Sequence, residues 1–490
     1  MAGEPSGTAT PVSGSGSRAL RNTLLVLVAR IASRLVALFT VIAMGNHLGD
    51  GGFGRMQTVV TLSALVSTVA DLGFYTLYVR EGARRTDQLE RYLNNVMSLK
   101  VFLLAAAFAV LFGTLHITGL SDLLLPAFAV MFLAGYSTLL RGTLYALQRL
   151  GFEAIDIVLE SLVLLGVTLA GVATHQGVAF FLWAYAASYG FSCVYFGVVL
   201  RVLGIARLRW RFELDVIRPW FFAGLPLAVT YMVTTVYFKV DVPILQHYRP
   251  YAEVGWYTLA YKPFEALLFV PLTMRTVIFP LMSVYYRSAP DRLALSSEKF
   301  FKGLVLIGLP CGVGLFVLAA PINSLLHLYP ESEAALRILA IGIPFMFVDN
   351  TFIAALNAMD RQVLYAWVAL TALVVNVGLN LVLIPRYGYL GASWSTSACE
   401  ALLATMGWVF LARLARPVPV WRASWRILAA GVGMGLALVP FRNAHGWATV
   451  AAIAVGAAVY AVLLIAFRAF DAEERALGRR ALSGAGSPAR

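Results

Sequence analysis

Long apolar runs dominate the sequence, and they recur about fourteen times with short polar connections between them. Stretches such as 162–173 and 451–467 contain no charged residue at all. A helix that crosses a bilayer needs about 20 apolar residues. Because unsatisfied backbone groups are costly in hydrocarbon, and because the runs are continuous rather than alternating, we expect helices and not a barrel. The predicted fold class is an all-α polytopic membrane protein with about 14 transmembrane helices.

The predicted spans follow the apolar runs closely. They are 22–45, 56–79, 96–117, 122–146, 154–174, 178–200, 220–246, 254–286, 300–326, 333–358, 363–385, 390–412, 424–440 and 446–468. The first run lacks the small-residue cleavage site of a signal peptide, so we interpret it as a retained span. The preceding tail, residues 1–20, is rich in Gly, Ser, Pro and Thr, a composition that predicts disorder.

The net charge of +13 is distributed unevenly over the predicted loops. One side of the membrane receives most of the arginines and lysines that lie in loops and tails, whereas the loops of the other side have only Arg55, Arg249, Arg386 and Arg442. Cytoplasmic loops carry such an excess of positive charge. The asymmetry predicts that both termini are cytoplasmic, and it explains the basicity without a nucleic-acid partner.

Two segments about 200 residues apart resemble each other, which suggests an internal duplication. Residues 48–58 join the first two predicted spans, and residues 251–258 join the seventh and eighth; each segment places a glycine at the outer start of a helix. A six-helix duplication gives two parallel lobes. The predicted organisation is a disordered tail (1–20), an N-terminal lobe (21–202), a basic cytoplasmic linker (203–218), a C-terminal lobe (219–416), two additional helices (417–470) and a cytoplasmic tail (471–490).

Several short motifs fall at helix ends within these lobes. They are Leu48-Gly49 with Phe53-Gly54, Asp71-Leu72-Gly73, Arg80-Glu81, Asp241 followed by Val254-Gly255-Trp256-Tyr257, and the run from Asn376 through Asn380, Ile384, Gly388 and Gly391 to Ala392. Over roughly residues 20–416 the chain thereby resembles the Wzx-type polysaccharide and O-antigen flippases of the multidrug/oligosaccharidyl-lipid/polysaccharide (MOP) exporter superfamily. It departs from that pattern in its Gly/Ser-rich tail and in Lys239.

The resemblance implies a function and a set of partners. It implies a secondary transporter that moves a lipid-linked oligosaccharide, typically undecaprenyl-diphosphate-linked, from the inner to the outer leaflet of the bacterial plasma membrane. A polysaccharide polymerase and other assembly proteins are the implied protein partners. Alternating access between the two lobes is the implied mechanism, with a proton or sodium ion as the coupling cation.

Cations inside the predicted spans are the candidate substrate-binding residues, because a charge within a span normally faces a partner or a wet cavity. Arg30 and Arg34 share a face of the first span. By helical rise, Arg34 and Arg275 lie at similar depths, about 20 Å from the inner helix ends. Lys239 and Lys262 form a second level nearer the outside. Two cationic levels suit an anionic head group that passes between leaflets.

Acids within the spans are candidates for cation coupling or for charge pairing. Asp71 is predicted at a depth close to Arg30, and Asp241 near the two lysines. Glu160 and Glu400 are the acids that an apolar setting would suit for carrying a coupling proton. Structural ion pairing is the alternative for each of them, and for the cations as well.

Other functional classes fit the sequence less well. No Gly-x4-Gly-Lys-Ser/Thr phosphate loop is present, so ATP hydrolysis is not the expected energy source. No loop is long enough for a catalytic domain, and no catalytic residue, metal site or cofactor is predicted. The alternatives are a cation-coupled multidrug exporter of the same superfamily, a membrane glycosyltransferase or ligase, and a non-transporting assembly scaffold.

Overall fold

The computed structural model describes residues 15–471 and residue 474, and within this part the chain is helical, with no strand. The α-helices are α1 Ser15–Asp71, α2 Phe74–Arg84, α3 Leu89–Ile117, α4 Leu124–Ala146, α5 Leu150–Ala173, α6 Val178–Val202, α7 Leu214–Lys239, α8 Asp241–Tyr248, α9 Tyr251–Ser288, α10 Pro290–Val317, α11 Ala319–Leu325, α12 Ser332–Ala358, α13 Gln362–Tyr387, α14 Tyr389–Leu414, α15 Val420–Leu438 and α16 Trp447–Ala466. The predicted disorder of residues 1–14 lies outside the described residues, whereas 15–20 belong to α1. Most of the predicted tail 471–490 also lies outside them.

Thirteen helical stretches in the described part are long and apolar enough to cross a membrane. The first of them, Ala29–Asp71, has 43 residues, and a straight helix of that length would measure about 65 Å. A bilayer core is only about 30 Å thick. Because the backbone leaves the helical conformation at Gly49 (φ 68°), this stretch serves as two crossings. The prediction of an all-α membrane protein is confirmed.

The connection between the first two predicted spans differs from the expected loop. Residues 48–58 are helical except at Gly49, which has a positive φ. Glycine adopts this conformation with little steric strain because it has no Cβ atom. The break expected near residue 79 occurs earlier, at Leu72 (φ 45°) and Gly73 (φ 75°), between α1 and α2. Asp71 terminates α1, and its carboxylate accepts the backbone N–H of Tyr75 at 3.2 Å. Sequence analysis placed these boundaries wrongly because an apolar run does not reveal where its backbone turns.

The two similar segments pack against each other through their glycines. A Cβ atom on Gly54 would collide with the carbonyl oxygen of Tyr251, and one on Gly255 would collide with the carbonyl oxygen of Asp50. The indole nitrogen of Trp256 donates a hydrogen bond to Asp50 Oδ2 at 3.1 Å beside this crossing. The two glycines are therefore required for close approach of the backbones, and the resemblance of the two segments reflects a reciprocal contact.

Gly54→Ala is expected to destabilise the protein strongly, because the added methyl group has only backbone to displace. Overpacking of a tight contact costs about 1–3 kcal/mol, and more where the neighbour cannot move. Gly51→Ala is the matched control, since nothing lies within 4 Å of its added Cβ. We expect thermal unfolding of the purified protein to shift downward for Gly54→Ala and not for Gly51→Ala. Equal melting temperatures would contradict the close crossing.

The chain divides into two compact units. One unit ends at Ala43 and resumes over Val66–Tyr231; the other contains Met44–Leu65 and the chain from Met232 onward. In the first, the buried core includes Tyr78, Leu93, Leu139 and Phe196. In the second, a larger core involves α9, α10, α12 and α15, with Phe264, Phe301, Leu339, Phe347 and Ile427 among its buried side chains. The predicted six-helix lobes and their boundaries stay a prediction.

Candidate functional site

Arg30 is neutralised within the first unit. Its Nη2 donates to Glu153 Oε1 at 2.9 Å and to the hydroxyl of Tyr145 at 2.7 Å, and Tyr145 donates to the same carboxylate oxygen at 2.6 Å. The carboxylate side chain is only 2% exposed. Arg30 therefore serves first to neutralise a buried acid, and Glu153 on α5 is a partner that the sequence analysis did not assign to it.

Asp71 has a different partner from the one predicted. Its Oδ1 accepts a hydrogen bond from Lys100 Nζ at 2.8 Å, and both side chains are largely buried. The predicted neighbour of Asp71 was Arg30, which instead bonds to Glu153. Their similar depth along the helices suggested that Arg30 pairs with Asp71, but depth does not determine which helices are adjacent. Asp71 thus stabilises the helix break and compensates Lys100.

Arg141 on α4 connects two acids of α5. Its Nη2 donates to Asp156 at 2.9 Å and to Glu160 at 2.5 Å, and Ser192 on α6 also donates to Glu160 at 2.8 Å. Glu160 was predicted either to carry a coupling proton or to pair with an arginine, and in the structure it pairs. Sequence analysis omitted Arg141 and Lys100, although both lie within predicted spans and the cost of a buried charge applied to them equally.

Arg34 differs from these three cations. It lies one helical turn from Arg30 on α1, is exposed, and makes no hydrogen bond or ion pair with the described residues. A guanidinium group has five donors in a planar fork, which matches phosphate oxygens. Of Arg30 and Arg34, Arg34 is therefore the one that has its full donor capacity available.

Arg275 on α9 is the corresponding residue of the second unit. Its side chain is half-buried and donates no hydrogen bond to another residue between 15 and 471, and the carboxylate that acts on it electrostatically is Asp349. Asp349 on α12 accepts a hydrogen bond from the Tyr365 hydroxyl at 3.1 Å. Arg275 thus has a carboxylate nearby without a direct ion pair. The predicted common depth of Arg34 and Arg275 stays a prediction.

The two lysines of the second cationic level lie close together. Lys262 Nζ bonds to Glu265 Oε2 at 2.9 Å, and Lys239 interacts electrostatically with both of these residues. Lys239 makes no hydrogen bond of its own with the described chain. Lys262 thus has a direct ion-pair partner, whereas Lys239 has none among the described residues.

Asp241, at the start of α8, is buried among neutral polar groups. Its Oδ2 accepts hydrogen bonds from Tyr257 at 2.6 Å and from Thr396 at 3.2 Å, and its Oδ1 accepts one from Asn380 at 2.8 Å. Asn380 also donates to Asn376 Oδ1 at 3.0 Å, and its own Oδ1 has no partner among the described residues. Asp241 thus accepts hydrogen bonds from two hydroxyl groups and one amide NH2 group, and it forms no ion pair within the described chain.

Glu400 on α14 is the other buried acid that was predicted from the sequence. It is 3% exposed, and its Oε1 accepts a hydrogen bond from the hydroxyl of Tyr237 at 3.1 Å. Within the described part of the chain no lysine or arginine pairs with it, and the charge that acts on it is that of Asp349. Glu400 and Asp349 therefore lie together in the second unit, and sequence analysis did not single out Asp349.

The site residues thus fall into two groups with different chemistry. The first unit pairs its interior acids and cations by short ion pairs, and Arg34 is left over. The second unit contains Asp241 among hydroxyl and amide groups, the buried acids Glu400 and Asp349, and cations that lack full compensation. Interior charges of this kind mark substrate and ion pathways in membrane proteins. A helical fold with thirteen candidate spans and such a charge pattern is that of a polytopic membrane transporter.

Comparisons with known proteins specify the family. A family model described as "Polysaccharide biosynthesis protein" matches residues 19–285, more than half of the chain, and a second model, MatE, matches residues 226–382. The chain belongs to the polysaccharide biosynthesis protein family of transporters. The predicted resemblance to MOP-superfamily flippases is confirmed at this level.

Solved structures share the fold. The lipid II flippase MurJ, in an inward closed conformation, superposes with a TM-score of 0.75 at 14% identity, covering 91% of this chain and 99% of that one. An inward-facing multidrug resistance MATE family transporter of the MOP superfamily gives a TM-score of 0.64 at 14% identity, covering 78% and 94%. The uncharacterized membrane protein YabM of Bacillus subtilis is 24% identical over 226 residues. That match spans 41% of this chain and 41% of YabM, less than half of either.

Proposed function

We propose that this protein is a flippase that moves an anionic lipid-linked oligosaccharide across the bacterial plasma membrane for polysaccharide biosynthesis. The proposed cargo has an undecaprenyl-diphosphate anchor, and the proposed direction is from the inner to the outer leaflet. Membership of the polysaccharide biosynthesis family supports a glycan cargo. The fold shared with a lipid II flippase supports a lipid-linked one.

The observation that carries this proposal is a set of interior cations that lack a full partner. Arg30, Lys100 and Arg141 are compensated by acids of their own unit. Arg34, Arg275 and the Lys239–Lys262 pair are not fully compensated within the described chain. An uncompensated charge has a high free energy in a membrane interior, and a ligand of opposite charge would lower it. A diphosphate head group supplies that charge, and a neutral or cationic cargo does not.

Reconstituted vesicles provide the direct experiment. The purified protein is incorporated into liposomes with a lipid-linked oligosaccharide, and arrival of the glycan in the opposite leaflet is measured with a soluble glycan-cleaving enzyme. We expect protein-dependent flipping that stops when cysteines at His47 and Tyr248 are cross-linked. His47 belongs to the predicted N-terminal lobe 21–202 and Tyr248 to the predicted C-terminal lobe 219–416, and alternating access requires these lobes to move relative to each other. Full activity of the cross-linked protein would refute alternating access. Absence of flipping by correctly folded, reconstituted protein would favour an assembly scaffold.

The arginine asymmetry supports an orientation with both termini in the cytoplasm. In a variant without Cys193, Cys311 and Cys399, single cysteines at the exposed positions 201 and 292 are expected to resist an impermeant thiol reagent in intact cells. Cysteines at the exposed positions 176 and 331 are expected to react. Labelling in permeabilised cells controls for access at all four positions. Labelling at 201 but not at 176 in intact cells would reverse the proposed topology.

We infer that Asp241 is the residue at which a coupling cation binds. A carboxylate together with amide and hydroxyl oxygens is the donor set that a sodium ion accepts, and the same carboxylate accepts a proton. Asn376, Asn380 and Thr396 are the residues that would complete the oxygen shell around the ion. No cationic side chain of the described residues pairs with Asp241, which leaves its charge available to an ion.

Asp241→Asn is expected to abolish the acceleration of flipping by an imposed ion gradient, because it removes the charge and preserves the side-chain shape. Loss of a charge-assisted contact of about 1.5–3 kcal/mol corresponds to a tenfold to hundredfold weaker ion response. Sodium and proton gradients are imposed separately, which identifies the ion. Asp291→Asn, the same substitution on an exposed acid of α10, is the matched control. An unchanged response of Asp241→Asn to both gradients would rule out this site.

A cation-coupled multidrug exporter is the second candidate function. The MatE family match over residues 226–382 and the ion-suited environment of Asp241 favour it. The interior arginines separate the two candidates, because a cationic drug gains nothing from them. Transport of a cationic dye by the reconstituted protein, with no flipping of the lipid-linked glycan, would select the exporter.

A further inference from the structure

The segment that joins α6 to α7 is an extended strap, residues 205–213, fixed along α3. The amide side chain of Asn94 donates to the carbonyl of Arg207 at 3.0 Å and accepts the backbone N–H of Arg209 at 2.9 Å. Ser98 accepts the N–H of Arg211 at 3.0 Å, and Asn95 accepts that of Glu213 at 2.6 Å. Asn94, Asn95 and Ser98 are nearly fully buried. Their hydrogen bonds therefore hold alternate residues of the strap in one register.

The side chains between these anchored positions are apolar and exposed. Leu208, Trp210 and Phe212 are 41%, 63% and 43% exposed. The rings of Trp210 and Phe212 lie 5.9 Å and 5.6 Å from the ring of Phe102 on α3. Phe102 is itself 54% exposed. Strap and helix together form a fixed, uncovered aromatic surface.

Arginines alternate with these apolar residues along the strap. Arg207 and Arg209 are exposed, and their side chains form no hydrogen bond or ion pair in the described chain. Arg211 is different, because its guanidinium bonds to Glu213, which Arg91 of α3 also binds. These hydrogen bonds, Arg91's above all, lower the pKa of the Glu213 carboxyl, which keeps it charged. The strap thus presents two unpaired guanidinium groups beside an aromatic surface.

We propose that the strap is a binding site for an anionic phospholipid of the adjacent leaflet. In this assignment Arg207 and Arg209 bind the headgroup phosphate, and the acyl chain lies against Trp210, Phe212 and Phe102. The strap connects the ends of two candidate spans, Val178–Val202 and Leu214–Lys239, so it lies at the edge of the membrane. Tryptophan is enriched at that depth, and arginine matches phosphate geometry.

A phospholipid fits this surface better than a soluble partner does. Nucleic acid and acidic proteins would satisfy the arginines, but three exposed apolar side chains within five residues would remain in water. Lipid satisfies both kinds of side chain at once. Hydrogen bonds to α3 already fix the strap backbone, so lipid binding requires little further ordering of the chain. The site is separate from the residues proposed for transport.

Binding of fluorescent phosphatidylglycerol to the full-length protein in detergent tests the proposal, with phosphatidylcholine as the zwitterionic comparison. Each arginine near an anionic lipid contributes about fivefold to affinity. Arg207→Ala/Arg209→Ala is therefore expected to weaken phosphatidylglycerol binding by more than tenfold. Phosphatidylcholine binding should weaken much less, because the choline ammonium group already offsets the charge of its phosphate. The unfolding temperature without added lipid should stay the same, since neither side chain contacts the fold. Arg207→Lys/Arg209→Lys should bind phosphatidylglycerol with an affinity between those of the wild type and the alanine variant. The positive charge is retained, but the bidentate geometry of the guanidinium group is lost.

The matched control is Arg361→Ala/Arg413→Ala, which removes the same charge from two exposed arginines without partners among residues 15–471. It is expected to bind phosphatidylglycerol like the wild type. Equal loss in both double variants would show a general charge effect and overturn the proposal, as would wild-type binding by the strap variant. If undecaprenyl diphosphate displaces the fluorescent lipid at a lower concentration than unlabelled phosphatidylglycerol does, the strap receives the transport substrate instead, and the phospholipid assignment is wrong.

Discussion

Arg34→Ala is expected to reduce flipping under limiting substrate by tenfold to a hundredfold, while the protein accumulates normally. A charge-assisted hydrogen bond to phosphate is worth about 1.5–3 kcal/mol. Arg34 has no partner among the described residues, so its removal leaves no buried acid uncompensated. Arg34→Lys should retain part of the activity, because the charge stays but the bidentate geometry is lost. Arg275→Ala should cause a similar loss in the second unit.

Arg30→Ala is the informative comparison for this experiment. It lies on the same face of α1, but its removal deprives the buried carboxylate of Glu153 of its cation. We therefore expect Arg30→Ala to lower protein abundance, and Arg30→Ala/Glu153→Gln to restore it. Flipping is measured per folded molecule for every variant. If Arg34→Ala and Arg275→Ala both transport at the wild-type rate under limiting substrate, neither residue holds the head group, even if the protein is a flippase.

Arg141→Ala should produce the largest loss of stability among the interior charges. It leaves Asp156, whose side chain is fully buried, and Glu160 without their shared cation. Removal of one partner from a buried ion pair costs about 3–5 kcal/mol, because the remaining charge has no compensation. We expect little folded protein in the membrane and a much lower unfolding temperature in detergent for the fraction that is recovered.

The combined variant Arg141→Met/Asp156→Asn/Glu160→Gln tests the cause. It removes all three charges while roughly preserving volume, and such replacements are often close to neutral. Abundance and unfolding temperature near the wild type would assign a structural role to the cluster. If the triple variant folds but loses the response to an ion gradient, Glu160 carries coupling as well, which is the other role predicted from its sequence position.

The sequence was sufficient for the architecture because hydropathy and length are properties of a single segment. A run of about 20 apolar residues becomes a membrane helix whatever its neighbours are. The all-α class and the family resemblance followed from such local signals. The boundary errors occurred at Gly49 and at Leu72–Gly73, where the backbone turns within an apolar run and hydropathy does not change.

Charge pairing depends on which helices are neighbours, and tertiary structure alone determined it. Depth along a helix suggested Arg30 for Asp71, but packing of α3 brought Lys100 to that acid, and packing of α5 brought Glu153 to Arg30. Lys100 and Arg141 were overlooked for the same reason, because they do not stand out until their partners are known.

The motif from Asn376 to Ala392 illustrates both what the sequence determined and what only the tertiary structure determined. The sequence alone determined that the motif is present, and with it the resemblance to the flippase family. It did not reveal why two asparagines stand four residues apart. Folding brings Asn380 to Asp241, 139 residues away, and places Asn376 beside it. The sequence specifies the chemistry of each side chain, but the role of that side chain depends on the groups that the fold brings within hydrogen-bonding distance.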